Sequence, residues 1–194
     1  MNKIVGISLG KDCLPASWGV HNNYRKRKSN NYNTCPFDLM ISNYEGVVKC
    51  ILEDFKNFTN PEFLEYNNTI ICNRYYNFNF NHETPGHANL HIKENWIGGV
   101  NHFINDNFKN FIKRYNNRIK NFINYLNNNK FINFILFLDD ETFKNNCEDL
   151  KNALSIKYPK LKYSIIIIDG PIPHDIDKTK IVKIIKYSNN LIKK

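Results

Sequence analysis

Short, wholly apolar runs alternate along the chain with longer stretches whose apolar residues recur at three and four. Residues 3–9 (Lys-Ile-Val-Gly-Ile-Ser-Leu) read as a buried strand ending at Gly10. A helix is predicted to start near Asp12, which can cap it, with Pro15 in its first turn. Residues 21–34 are polar, basic and Asn-rich and read as a loop, after which Cys35-Pro36-Phe37-Asp38 brings the chain back to the body. Val47, Val48, Ile51, Leu52, Phe55 and Phe58 have helical spacing over residues 43–58, and Asn60-Pro61 ends that helix. Residues 69–73 and 75–80 read as strands, the second alternating aromatic residues with Asn.

The longest amphipathic pattern covers residues 103–126, with Phe103, Phe108, Phe111, Ile112, Tyr115, Ile119, Phe122, Ile123 and Leu126 on one face. A buried strand is predicted at 131–138, stopped by Asp139-Asp140. A helix with the stripe Phe143, Cys147, Leu150 and Leu154 comes next, then a strand at 162–168 closed by Asp169-Gly170-Pro171. The tail from Thr179, with Ile181, Ile184, Ile185 and Leu191, reads as a terminal helix. Wholly apolar strands alternating with amphipathic helices predict a three-layer α/β fold. Its sheet is mostly parallel and flanked by helices, with a small extra β segment near 69–80. The 194 residues are expected to form a single domain over 1–194.

Composition narrows the function. There are 34 Asn, and the chain is also rich in Lys, Ile, Tyr and Phe, the residues of AT-rich codons, so the Asn excess is not read as a binding feature. The 27 Lys+Arg against 18 Asp+Glu give a formal charge of +9. The one dense basic run, Arg25-Lys26-Arg27-Lys28, reads either as a solvated loop or as a contact for an anion or nucleic acid. No apolar run is long enough for a membrane span and no secretory leader is recognisable, so an intracellular protein without a membrane partner is expected. The 5 cysteines lack paired spacing and read as reduced thiols, and without a secretory leader the sequons at Asn57 and Asn67 are expected to be idle. No phosphate-binding glycine loop occurs, and no cofactor is expected.

Candidate chemistry gathers at strand carboxyl ends, where ligands meet a parallel sheet. Ser8-Leu9-Gly10-Lys11-Asp12-Cys13 puts a cysteine in the turn between the first strand and the first helix. The helix N-terminus and Lys11 favour its thiolate, Asp12 opposes it, and Gly10 permits close approach of a substrate. Backbone N–H groups at the helix start offer an oxyanion site. The thiol needs an imidazole, and His82, His87, His91 and His174 are the candidates. Asp139, Asp140 or Asp169 would orient the base, or simply cap the next helix. His82, His87 and His91 are also candidate metal ligands, but Pro85-Gly86 breaks the helix that zinc spacing would need, so no metal is assigned.

The run Ile7-Ser8-Leu9-Gly10-Lys11-Asp12-Cys13, then Cys35-Pro36-Phe37-Asp38-Leu39, then a strand ending in His82, then Tyr115-Asn116-Asn117-Arg118, resembles a family of papain-like cysteine peptidases found in bacteria and in large DNA viruses such as poxviruses. The resemblance spans about residues 4–169, with Leu39 where the family usually has Trp and Glu83-Thr84 where it has Asp-Phe. It implies Cys13 as nucleophile and His82 as base, leaves His87 open, and makes Asp38 either a buried acid bonding the Cys13 loop or a turn residue. Three readings are open. One is a cysteine hydrolase of peptide, isopeptide or ester bonds in a protein or peptide substrate. The second is a non-catalytic viral module that binds host protein or nucleic acid through Arg25–Lys28. The third is a flavodoxin-like ester or glycan hydrolase pairing Cys13 with His174.

Overall fold

A computed structural model describes residues 4–128, 131–137, 147–169 and 180–187. A four-stranded sheet runs in the order β1 (Ile4–Ser8), β5 (Phe131–Phe137), β6 (Tyr163–Asp169), β7 (Lys180–Tyr187). The first three are parallel, Ile4 lying opposite Phe131 and Ile132 opposite Tyr163. Side chains alternate between the faces. Phe134, Leu136, Ile165 and Ile167 join the larger hydrophobic core, while Ile135, Phe137, Ile166 and Ile168 join a second cluster around Trp18. Both faces are therefore buried, which is why these strands carry no polar alternation.

Trp18 belongs to α1 (Leu14–His21), which covers the second face. The other face carries α2 (Tyr44–Leu52), α4 (Asn105–Asn128) and α5 (Glu148–Lys157), whose apolar stripes enter the larger core. The remaining described helix, α3 (Leu90–Lys93), is a single turn. The chain leaving α1 runs back across β1 so closely that a Cβ on Gly6 would lie 2.0 Å from the Tyr24 carbonyl oxygen. Among the described residues, no helix is long and apolar enough to cross a membrane.

The expected small β segment is a separate antiparallel sheet of β2 (Leu64–Tyr66), β3 (Ile71–Asn73) and β4 (Phe78–Phe80). Tyr75 and Tyr76 fall in its turn rather than in a strand. The buried Asn73 accepts both their N–H groups at 3.0 Å and donates to the Asn57 and Phe58 carbonyls at 2.8 and 3.1 Å. One amide thus satisfies two loops, the local chemistry that makes Asn a turn residue.

Two expectations are corrected. The helix predicted over 43–58 stops at Leu52, and Asp54 and Phe55 take positive φ values of 52° and 61°. This break turns Phe55 and Phe58 into the aromatic core around Phe37, Phe78 and Phe122, and burial of those rings outweighs the local helical period. The tail from Thr179 contains a strand, β7, antiparallel to β6 with Tyr187 opposite Tyr163. Its β-branched run favours extended backbone, and it pairs an edge of β6 that would otherwise be open.

Candidate active site

The turn joining β1 to α1 is built by short-range hydrogen bonds. Gly10 has φ +93° and Lys11 φ +80°. The Gly10 N–H donates to Ser8 Oγ at 3.2 Å, and the Lys11 N–H donates to Ser42 Oγ at 2.9 Å. A Cβ on Gly10 would lie 1.9 Å from that same Ser42 Oγ, so both the backbone conformation and the space require glycine. Asp12 Oδ1 accepts the Leu14 N–H at 2.7 Å and caps α1 as expected.

Cys13 stands at the N-cap position of α1, half-buried. The position alone predicts a lowered thiol pKa; the structure reverses the sign. Burial pushes it up, Asp12 pushes it further, and its own N–H, the one opposing influence, is weaker. Leu14's N–H is already taken by Asp12 and Pro15 has none, so little of the helix terminus is left to favour the anion. Among the described residues no hydrogen bond joins the Cys13 sulfur to an imidazole.

The strand that carries the candidate base is tied to this turn through residues 41 and 42. Ile41 exchanges both backbone hydrogen bonds with Asn79 of β4, at 2.8 and 2.9 Å. Next to it, the Ser42 N–H donates to the Lys11 carbonyl at 3.1 Å. The segment is thus zipped on one side to the turn leading into Cys13 and on the other to the strand leading into His82.

His82 succeeds β4 in a turn fastened at several points. Thr84 Oγ1 donates to the Phe80 carbonyl at 2.7 Å and accepts the Ile71 N–H at 3.0 Å. Glu83 is wholly buried, and its carboxylate is gripped by α4. Tyr115 donates its hydroxyl to Oε2 at 2.9 Å, while Arg114 Nε and Arg118 NH1 each approach Oε1 at 3.0 Å. The two arginine contacts are ion pairs whose N–H directions fall short of good hydrogen bonds. Burial lowers the His82 pKa, Glu83 opposes this, and His87, Arg118 and Arg114 add to the lowering. The His82 and His87 rings meet edge to face, with centroids 5.0 Å apart.

Asp38 is both buried and a turn residue, and its bonds go elsewhere than to the Cys13 loop. It is buried in a 3-10 turn at Pro36–Leu39, where Oδ2 accepts the Cys35 N–H at 2.7 Å and pairs with Arg25 at 2.9 Å. Tyr32 donates to its other oxygen at 3.4 Å, and the Arg25 guanidinium stacks 4.0 Å from the Tyr32 ring centroid. Asp38 therefore bonds its own turn and the basic loop, not the Cys13 turn. The Cys35 thiol is pushed well up by burial first and by Asp38 second.

The basic run is divided by the same pairing. Arg25 turns inward to Asp38, while Lys26, Arg27 and Lys28 stay exposed. Asp139, Asp140 and His174 lie outside the described residues, as does the side chain of Asp169. His91 lies in α3 beside Trp96, their ring centroids 6.5 Å apart. Among the described residues no three His, Cys, Asp or Glu side chains are grouped to hold a metal ion.

Sequence reasoning passed over Glu83 as more than a family variant, and it missed Arg114. The signal was present: Phe111, Tyr115, Arg118 and Phe122 share one helical face, and an arginine on an apolar stripe needs a buried acid.

No curated protein and no solved structure matches this chain. A family model does match, over residues 4–170, a span that holds the Cys13 turn, the Asp38 turn, His82 and the Tyr115–Arg118 clamp. The chain thereby belongs to the family described as "putative papain-like cysteine peptidase".

Proposed function

We propose that the protein is a cysteine-dependent hydrolase of peptide, isopeptide or ester bonds, with Cys13 as nucleophile and His82 as base. The observation that carries this reading is the 41–42 segment, hydrogen-bonded to Lys11 on one side and to Asn79 on the other. It links the turn leading into Cys13 and the strand leading into His82 through backbone hydrogen bonds.

A thiol pushed above its ordinary value and an imidazole held below its own rest as a neutral pair, because a standing thiolate–imidazolium pair needs the opposite order. The proton therefore moves during attack. Sγ adds to the carbonyl carbon as the imidazole takes the thiol proton, and the imidazolium returns that proton to the leaving amine or alkoxide. Water, deprotonated by the same imidazole, then hydrolyses the thioester and restores the thiol. The Cys13 N–H, which already acts on its own sulfur, is the backbone donor assigned to the developing oxyanion in this reading. Asp139 or Asp140 keeps the role of orienting the imidazole as part of this proposal.

Iodoacetamide labelling of the folded protein tests the assignment. Cys35, Cys50 and Cys147 are buried, and Cys72 is pushed up to about 11 by burial and by Glu65. Cys13 is expected to react first, and His82→Asn to slow it at neutral pH. Uniform labelling, or none at Cys13, would overturn the reading.

One observation favours a second, non-catalytic role. Two concave surfaces of about 440 and 400 Å³ share His21, Arg25 and Arg27, and among the described residues no acidic one lines either. A polyanion such as a nucleic acid fits that charge. Oligonucleotide binding that falls steeply with added salt, and falls again in Arg27→Ala/Lys28→Ala, is the expected result. Absence of binding at low salt removes this role.

A further inference from the structure

The acid adjacent to His82 invites the reading that Glu83 orients the base directly. Its oxygens are otherwise engaged, Oε2 by the Tyr115 hydroxyl and Oε1 by Arg114 and Arg118. The ligands of this carboxylate all come from consecutive turns of α4, the longest helix in the described chain. The hydrogen bonds of Thr84 to Phe80 and Ile71 fix the other side of the same turn. His82 thus sits between a strand and a residue bolted to a helix.

We propose that Glu83, gripped by Arg114, Tyr115 and Arg118, is a positioning residue that fixes the His82 turn on α4 and, with the two arginines, sets the charge state of the His82 imidazole. This inference rests on His82 being the base of the hydrolase proposed above. The charges that act on the ring are Glu83 on its own turn and Arg114 and Arg118, which grip Glu83 from α4, while the His87 ring meets it edge to face. The negative and positive members of the clamp act on the ring with opposite sign.

The expected outcome is therefore a pair of opposed shifts. In the full chain, side-chain NMR titration of labelled histidines, with His82 assigned from His82→Gln, reads the pKa directly. Glu83→Gln should lower it, because two arginine charges lose their counter-charge. Arg118→Gln should raise it. Each shift should be about half a unit, a screened fraction of the 1–3 units that a charge in direct contact produces. Arg118 is buried and its loss threatens folding, so Arg114→Gln, at a partly exposed position, is made in parallel and should also raise the value. Near-UV circular dichroism verifies the fold of each variant. Shifts of the same sign, or none in a folded variant, overturn the proposal. Opposed shifts combined with Cys13 alkylation that ignores His82→Asn would support the clamp while refuting the base assignment, so the two failures are distinguishable.

Discussion

Replacing Asp38 by Asn tests whether the Cys35–Leu39 motif is a structural lock. Asn preserves the volume and removes the charge. The Asp38 carboxylate is completely buried and the Arg25 side chain is 11% exposed, so the variant strands a nearly desolvated guanidinium. Breaking a buried pair by removing one partner costs about 3–5 kcal/mol. The bond from the Cys35 N–H, 2.7 Å long, becomes a neutral one and loses about 1 kcal/mol. Arg25 keeps its stacking on Tyr32 and a 3.5 Å contact to the Ala16 carbonyl, which places the total at the lower end, about 4 kcal/mol. For a denaturant slope of about 2 kcal/mol per molar urea, the midpoint falls by roughly 2 M. Tryptophan fluorescence is a suitable reporter, because Trp18 is buried and stacks on Tyr24 next to Arg25. Arg25→Met/Asp38→Asn should recover at least half the loss, since it removes the stranded charge. A loss below about 1 kcal/mol, typical of a surface pair, or a double variant whose loss is the sum of the two, would refute the reasoning.

Asp12→Asn should speed Cys13 alkylation at neutral pH, because it removes a charge that raises the thiol while keeping an oxygen to cap Leu14; an unchanged or slower rate contradicts this. Gly10→Ala should destabilise the protein by about 2 kcal/mol or more, from positive-φ strain and the 1.9 Å approach to Ser42 Oγ, and a thermal melt at the wild-type temperature would show the turn to be adaptable. Because folding depresses the His82 pKa, its contribution is fully present above the unfolded value of about 6.5 and is lost as pH falls through the folded value. Urea midpoints should therefore decline below about pH 6.5, less so in His82→Gln, with His102, also lowered by burial and Arg114, supplying a remainder; identical slopes in the two proteins would rule out His82 as a source.

The sequence alone determined the elements whose pattern is dense. β1, β5 and β6 were legible because a strand buried on both faces is apolar almost throughout, and α4 because its apolar stripe repeats over many turns. The Cys13 turn was legible from local chemistry: a glycine that ends a strand, an acid that caps and a proline in the first helical turn. Tertiary structure decided what depends on partners distant in the chain. The isoleucine-rich tail has a weak helical period and becomes β7 because β6 presents an open edge. The thiol is raised rather than lowered because burial, a property of the assembled turn, outweighs the helix terminus. Arg25 looks like one of a basic run until Asp38 draws it inward, and Glu83 looks like a substitution until α4 supplies two arginines and a tyrosine to it. Charges and hydrogen bonds act over a few ångströms of space regardless of chain separation, so periodicity records which face is buried but not which side chains meet there.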